Sequence, residues 1–367
     1  MADDVVVAKI GSSSLTDDEG RISTGAIDKL CAEVAQLRGE GYRCIVVSSG
    51  AIAAGLPLLG LSADRRPRDA QTLQAISAVG QGRLIGQWMD ALASHGLVGG
   101  QVLLAPLDFV VRSQYLHARS TLRRLLDLGV VPVVNENDAI ADDEIRFGDN
   151  DRLAALVAHL VDARQLVLLT DTPGVFTADP RQDANASLIE EIVEIDHELE
   201  AAAGGAGTSR GSGGMASKLA AAKIATWSGV RTVIAQAQRP GVLVDAVKGV
   251  PGTGTTFVPK PHRLPARKLW IAFAQASEGH VVVDDGARRA LVDRNVSLLA
   301  AGVVDVRGSF DPGAAVEIEG TDGVVFAKGI VRHESDALRA IAGKRTSELP
   351  PGVPHEVVHR DDLVVLP

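Results

Sequence analysis

Short apolar runs that end in glycine- and serine-rich turns are the feature that most limits the fold of this chain. The first run, Val5–Ile10, leads into a GSSS turn, and the second, Cys44–Val47, leads into a turn around Gly50. A segment with helical spacing of its apolar residues, Thr24–Arg38, lies between them. A strand, a glycine turn and a helix, repeated along a chain, are typical of parallel βαβ units. The sequence therefore predicts an α/β domain with a parallel sheet.

The pattern continues along the chain and then changes after the middle of the sequence. Apolar segments and helical periodicity alternate up to about residue 247, and a stretch rich in Gly, Pro, Thr and Lys follows. Beyond it, short β-branched segments are separated by Gly, Asp and Pro turns, which favours a compact β-rich domain. We therefore expect a first domain over residues 1–258, a linker over 259–275 and a second domain over 276–367.

Composition and charge exclude several classes of protein. The net charge of −9 disfavours a general nucleic-acid binder. No apolar run approaches the length of a membrane-spanning helix, and the acidic MADD start argues against a signal peptide, so we expect a cytoplasmic protein. Cys31 and Cys44 have no metal or redox spacing and are predicted to be reduced core residues.

A long polar segment, Asn135–Asp151, connects a predicted buried strand to a predicted helix. Connections of this length are usually functional, and the carboxyl ends of parallel strands are where ligands bind. A solvated acidic loop is the alternative interpretation. The segment as a whole is therefore a candidate ligand site. The middle of the segment has no assigned chemistry and is a candidate mobile lid, formed by Asp142, Asp143 and Glu144.

Two lysines lie where a protein commonly binds phosphate. Lys9 is at the carboxyl end of the first predicted strand, and Lys218 is in the first turn of a helix that follows a glycine-rich loop. A fixed cation beside the backbone N–H groups of such turns suits a phosphate. A structural salt bridge is the alternative for each lysine. The loop is not a P-loop, because Ser217 precedes Lys218 instead of following it.

Six stretches together resemble the amino acid kinase family over roughly residues 1–258. In chain order they read VAKIGSS, VVSSGAIAAG, VPVVNENDAI, RFGDND, LLTDTPGVFTADPR and SGGMASK. The remaining part of the chain resembles a PUA domain. The resemblance implies a three-layer α/β sandwich with a mostly parallel central sheet, followed by a small β-rich PUA-like domain.

Within that family, the NEND, GDND and SSGAIAAG stretches resemble the members that phosphorylate L-glutamate more than those that act on acetylglutamate or aspartate. The resemblance implies ATP-dependent phosphorylation of the γ-carboxylate, the first step of proline biosynthesis, with Mg²⁺ arriving on ATP. Another carboxylate kinase of the same fold, acting on aspartate or an N-acylglutamate, is the nearer alternative. RNA binding through the PUA-like domain is the alternative of a different class. Residues 278–367 hold ten Lys and Arg against fifteen Asp and Glu, which argues against RNA.

The resemblance also implies partners and site residues. It implies proline as a feedback inhibitor, a homo-oligomer (dimer or tetramer) and a possible hand-off of the product to glutamyl phosphate reductase. The implied catalytic residues are Lys9, Lys218 and Asp151, with Asp151 orienting the two lysines. The implied glutamate-binding residues are Ser49, Gly50, Asn135, Asp138, Asp149 and Asn150. The implied ATP-binding residues are Lys9, Gly11, Ser12, Thr170, Asp171, Phe176, Ser212, Gly213, Gly214, Met215, Ala216, Ser217 and Lys218.

Overall fold

The chain forms two compact units, Met1–Arg263 and Leu264–Pro367. The boundary falls inside the segment predicted as the linker, residues 259–275. The computed structural model describes residues 4–17, 19–62, 66–140, 150–178, 180, 183, 185–196, 199, 214–261, 263–273, 275 and 277–366. No helix within these ranges combines the length and the apolar character that crossing a membrane requires.

A mostly parallel sheet runs through the first unit and confirms the predicted fold class. Among the described residues its strands follow the order β3-β4-β2-β1-β5-β7-β8-β6, and the pairing of β7 with β8 is antiparallel whereas the other pairings are parallel. The strands are β1 Val5–Ile10, β2 Arg43–Ser48, β3 Gly99–Leu104, β4 Val131–Glu136, β5 Gln165–Thr170, β6 Glu191–Ile192, β7 Arg231–Gln236 and β8 Gly254–Phe257.

The helices of the first unit alternate with these strands. Two of them have clear N-terminal caps, because the side chains of Ser23 and Asp69 accept backbone N–H groups of the following turn. The helices described are α1 Ser12–Leu15, α2 Thr24–Gly39, α3 Ala51–Leu58, α4 Ala70–Ser94, α5 Leu107–Val110, α6 Arg112–Asp127, α7 Asn150–Leu160, α8 Met215–Trp227 and α9 Val242–Lys248.

Strand β1 lies near the middle of the sheet and presents different groups to its two faces. Val6, Ala8 and Ile10 join the apolar cluster that includes residues of α2, α4 and α9. Successive side chains of a strand point to opposite faces. Lys9 therefore lies on the other face, where it contacts Asp151 of α7. This alternation is what places a buried lysine beside α7.

The carboxyl ends of the strands around β1 lie level with one another. Ile10 of β1 pairs with Ser48 of β2 on one side and with Leu169 of β5 on the other. In chain order, strands β2 to β4 lie on one side of β1, and the later strands, β5 to β8, lie on the other side. Such a change of direction opens a crevice at the carboxyl ends of the strands, which is where α/β proteins bind ligands.

The second unit is β-rich, as predicted, and its described strands follow the order β10-β14-β13-β12-β9-β11. These strands are β9 Gly279–Val283, β10 Leu298–Leu299, β11 Val303–Gly308, β12 Ala315–Gly320, β13 Val325–Val331 and β14 Glu356–Val365. The sequence pattern did not predict its helices, α10 Ala266–Phe273, α11 Asp285–Arg294 and α12 Ser335–Ile341.

The two cysteines are buried and unbonded, as the sequence predicts. Burial raises the pKa of the Cys31 and Cys44 thiols to about 12. Both thiols are therefore protonated at neutral pH and chemically inert.

Helices α3 and α4 cross in backbone contact. A Cβ at Gly80 would lie 1.9 Å from the carbonyl oxygen of Ala51, and a Cβ at Gly55 would lie 2.2 Å from that of Ile76. Both distances are far below van der Waals contact, so only glycine fits at either position. The spacing of the two helices is therefore fixed by main-chain atoms.

Gly80→Ala should lower the free energy of unfolding of the first unit by about 2 kcal/mol or more, because the added methyl group forces the two helices apart. Gly82→Ala on the same helix is the matched control, since a Cβ there meets nothing within 4 Å. It should be neutral or stabilising by up to about 1 kcal/mol, because alanine is the better helix former. Urea unfolding of both variants checks this, and equal effects at the two positions would contradict the backbone contact.

Candidate active site

A buried carboxylate between two buried lysines forms the centre of the candidate site. Asp151 is 0% exposed, and its two oxygens contact the amines of Lys9 and Lys218 separately. The Lys218 Nζ to Asp151 Oδ2 distance is 3.2 Å. Lys9 comes from β1, Asp151 from the first turn of α7 and Lys218 from the first turn of α8. The structure thus brings together the three residues predicted as catalytic.

The carboxylate of Asp151 is charged at neutral pH in spite of its burial. Burial by itself raises the pKa of Asp151, but the charges of Lys9 and Lys218 outweigh it and hold the pKa below its ordinary value. The hydroxyl of Ser217 also donates towards Asp151 Oδ2, at 3.0 Å. A group of two cations and one anion leaves a net positive charge, which suits a phosphoryl group.

The start of α8 adds backbone donors beside this positive charge. Gly214 is its N-cap, and Met215, Ala216 and Ser217 form the first turn. The first N–H groups of a helix have no partner within the helix, and the helix dipole makes this end positive. The arrangement suits the phosphates of a nucleotide.

The small-residue turn after β1 lies next to the same charge. A Cβ at Gly11 would lie 3.5 Å from Lys9 Nζ, so the main chain at Gly11 passes close to the lysine amine. Ser12 begins the short helix α1 directly after it. Both residues therefore lie beside the predicted phosphate site.

A second group of polar side chains joins β2, β4 and α7. Asn150 Nδ2 lies 3.0 Å from the hydroxyl of Ser49 and 2.9 Å from Asn135 Oδ1. Asn150 Oδ1 is buried and has no hydrogen-bond partner among the described residues. A buried acceptor without a donor is costly and calls for a partner such as a ligand. Three predicted glutamate-binding residues are thus in direct contact.

Gly50 is the N-cap of α3 and has a backbone conformation that favours glycine. Its φ is 107°, in the left-handed region, and a Cβ there would lie 3.0 Å from Ile22. The turn that carries Ser49 at the end of β2 therefore depends on glycine at this position.

Helix α4 contributes side chains to the site that the sequence did not single out. The hydroxyl of Ser77 donates to Asp138 Oδ2, and Asn135 Nδ2 donates to Gln81 Oε1 at 2.7 Å. Ser77 and Gln81 are separated by one helical turn. The sequence does show two polar residues one helical turn apart, beside the apolar positions of the helix. The same spacing is also found on the solvent-facing side of a helix, so it did not identify them as site residues.

Two of the predicted ATP-binding residues, Thr170 and Asp171, lie at the end of β5. Thr170 is buried, and its hydroxyl donates to Asp171 Oδ1 at 3.0 Å. Phe176 pairs with Leu188 in an isolated antiparallel bridge. No hydrogen bond among the described residues links Phe176 to Thr170 or Asp171.

Some predicted residues lie outside the described part of the chain. These are Asp149, Ser212 and Gly213 of the predicted site, together with the candidate lid residues Asp142, Asp143 and Glu144. Within the described ranges no group of three or more His, Cys, Asp or Glu side chains could hold a metal ion.

Comparisons with known proteins identify relatives of both units. Residues 4–236 match the amino acid kinase family, and residues 279–352 match the PUA domain. A glutamate 5-kinase of Pelobacter propionicus is 43% identical over 365 residues, which is 98% of this chain and 97% of the relative. A glutamate 5-kinase of Salinispora arenicola is 48% identical over 366 residues, with the same shares of both chains.

Solved structures that match are more distant. An isopentenyl phosphate kinase of T. acidophilum, solved as a product complex, is 20% identical, with a TM-score of 0.47. The match covers 69% of this chain and 99% of that one. The relationship of this chain to known proteins therefore depends on the sequence relatives.

Asp151→Asn should lower the free energy of unfolding at pH 7 by about 3–5 kcal/mol, because it leaves two buried cations without their counter-charge. The depressed pKa of Asp151 gives stability that is fully present above the unfolded pKa, near 4, and is lost as pH falls through the folded-state pKa. The difference in the free energy of unfolding between variant and wild type should therefore become smaller below about pH 4. Urea unfolding at a series of pH values measures it.

Asp127→Asn is the matched control for this experiment. Asp127 pairs with Arg43 at 3.0 Å, but its side chain is 54% exposed. An exposed pair contributes about 1 kcal/mol or less. A large and pH-independent loss in Asp151→Asn would contradict a charged carboxylate at the centre of the site.

Proposed function

The chain belongs to the amino acid kinase family and, within it, to the glutamate 5-kinases, and from this we propose that it transfers the γ-phosphoryl group of ATP to the γ-carboxylate of L-glutamate. The product would be γ-glutamyl phosphate, at the first step of proline biosynthesis. The proposal rests on two neighbouring clusters of side chains. In the first, Asp151 contacts the amines of Lys9 and Lys218, which suits a phosphoryl group. In the second, Asn150 contacts Asn135, which suits an amino acid.

The proposed reaction needs positioning and charge rather than a general base. The γ-carboxylate of glutamate is already ionised at neutral pH. One of its oxygens forms a bond to the γ-phosphorus, while the bond from that phosphorus to the β,γ-bridging oxygen breaks and ADP leaves. Lys9 and Lys218 stabilise the charge on the oxygens in transfer, which is how phosphoryl-transfer sites act. Asp151 holds both amines in place and is not needed as a base.

ATP fits the side of the sheet formed by β5 and β7, together with the turn that follows β1. The first turn of α8, from Met215, supplies N–H donors for its phosphates, and Gly11 and Ser12 lie beside Lys9 for the same purpose. Thr170 and Asp171 at the end of β5 would face the adenosine. Mg²⁺, bound to ATP, would neutralise phosphate charge.

Glutamate fits the side of the sheet formed by β2 and β4. The hydroxyl of Ser49, which accepts from Asn150 Nδ2, is a donor for its α-carboxylate. Asn150 Oδ1, buried and without a protein donor among the described residues, and the carboxylate of Asp138 are acceptors for its ammonium. Asp149 would join them, as the resemblance implies.

The alternatives from the sequence have less support. Both full-length relatives reported above are glutamate 5-kinases, which favours glutamate over aspartate or an N-acylglutamate. An N-acyl group would also remove the ammonium that Asp138 accepts. The net negative charge of residues 278–367 still argues against RNA binding. The homo-oligomer and the hand-off to glutamyl phosphate reductase stay predictions.

Purified protein with Mg-ATP, glutamate and hydroxylamine should form γ-glutamyl hydroxamate, because hydroxylamine traps acyl phosphates. Aspartate and N-acetylglutamate should give little product. Lys218→Met should lower the rate by about 100-fold or more, since it removes one charge at the transferred group. Lys248→Met, a change at an exposed ion pair, is the matched control. Absence of hydroxamate with glutamate would refute the function.

We also propose that proline inhibits by occupying the glutamate site, with its ammonium at Asp138. Asp138→Asn should then raise the KM for glutamate and the half-inhibitory proline concentration together, each by about tenfold or more, because one charge-assisted hydrogen bond is lost. Asp127→Asn serves as the control. Initial rates over a grid of both concentrations measure the two constants. Unchanged proline sensitivity with weakened glutamate binding would mean that proline binds elsewhere.

A further inference from the structure

One stripe of helix α4 makes three hydrogen bonds to the glutamate side of the site. Ser77 donates to Asp138, Gln81 accepts from Asn135, and Trp88 Nε1 donates to Ser48 Oγ at 2.9 Å. Positions i, i+4 and i+11 lie on one side of a helix, since 3.6 residues make a turn. A single helix thus contacts the ends of β2 and β4 and the turn that follows β4.

Ser77 is the member of this stripe that contacts a charged group. It is 3% exposed, and its partner Asp138 begins a short 3-10 turn, Asp138–Ile140, that is otherwise largely exposed. A half-buried carboxylate can adopt several rotamers, and a hydrogen-bond donor favours the one that reaches it. The buried hydroxyl of Ser77 is such a donor for Asp138.

The donor itself is held rigidly. Ser77 lies three residues before Gly80, where α4 is in main-chain contact with α3 at Ala51. Helix α3 in turn begins directly after Gly50 and the Ser49 turn. The position of the Ser77 hydroxyl is therefore fixed relative to the residues that would hold the α-carboxylate.

We propose that Ser77 is a positioning residue that holds the Asp138 carboxylate in the orientation that accepts the ammonium of glutamate. The proposal rests on the function proposed above. Ser77 does not touch the substrate and acts through Asp138. Its effect is on the binding of the amino group and not on phosphoryl transfer, because Asp138 lies in the turn after β4, whereas the lysine centre is formed by β1, α7 and α8.

Ser77→Ala tests the proposal through a split between kinetic constants. The KM for glutamate should rise about tenfold, the size expected for one hydrogen bond to a charged group. The kcat and the KM for ATP should stay within about twofold, since the lysine centre is unaffected. Glutarate, which lacks the ammonium, should inhibit competitively with the same inhibition constant in both proteins.

Two further variants keep the outcome interpretable. Ser94→Ala is the matched control, because Ser94 lies on the same helix, is exposed and donates only to Ala91 O among the described residues. It should change no constant. In the Asp138→Asn background, Ser77→Ala should add less than about twofold to the KM, because the two residues act as one unit.

The results separate this proposal from the proposed function. If the wild-type protein forms γ-glutamyl hydroxamate but Ser77→Ala has a normal KM for glutamate, the proposed role of Ser77 is overturned and the proposed function is not. Equal weakening of glutamate and glutarate, or parallel loss of kcat and thermal stability, shows a structural role and also overturns it. A wild-type protein that forms no hydroxamate instead refutes the function itself.

Discussion

The contact of one buried carboxylate with two buried lysines is the interaction on which the rest of the site depends. Three separate elements each contribute one member, so the contact also ties β1, α7 and α8 together at one point. Two cations this close, without Asp151, would repel each other in a medium that screens poorly. The carboxylate of Asp151 contacts both amines and so offsets this repulsion. A phosphoryl group that binds as proposed would meet cations whose positions are already set.

The sheet divides the chemistry into two kinds. On the β5 and β7 side, the groups at hand are the amine of Lys218, the backbone donors at the start of α8, and Thr170 and Asp171, which suit a nucleotide. On the β2 and β4 side they are amides, hydroxyls and one carboxylate, which suit the paired charges of an amino acid. Strand β1 lies between them and carries Lys9. The path of the chain from one side of the sheet to the other would therefore determine where the two proposed substrates meet.

The sequence predicted the fold class because strand, turn and helix signals are local and repeat. It also placed Asn135 and Asn150 in one site, through the NEND and GDND stretches that carry the family resemblance. It did not single out Ser77 and Gln81, because a polar pair one turn apart looks the same whether it faces water or a neighbouring strand. Only the crossing of α3 and α4 decides between these, and that crossing depends on two glycines distant in sequence. The short charged helix Asp285–Arg294 was missed because its apolar residues are too few to set a period.

The glycine contact between α3 and α4 has a consequence for substrate length. Main-chain atoms in contact do not adjust as side chains do, so the distance between the Ser49 turn and Ser77 is fixed. The register of β1 against β2 fixes a second length, from that turn to Lys9. In the proposed function, an amino acid anchored at the Ser49 turn would reach the lysines only if its side chain matches this second length. Discrimination between homologous dicarboxylates would then follow from distance.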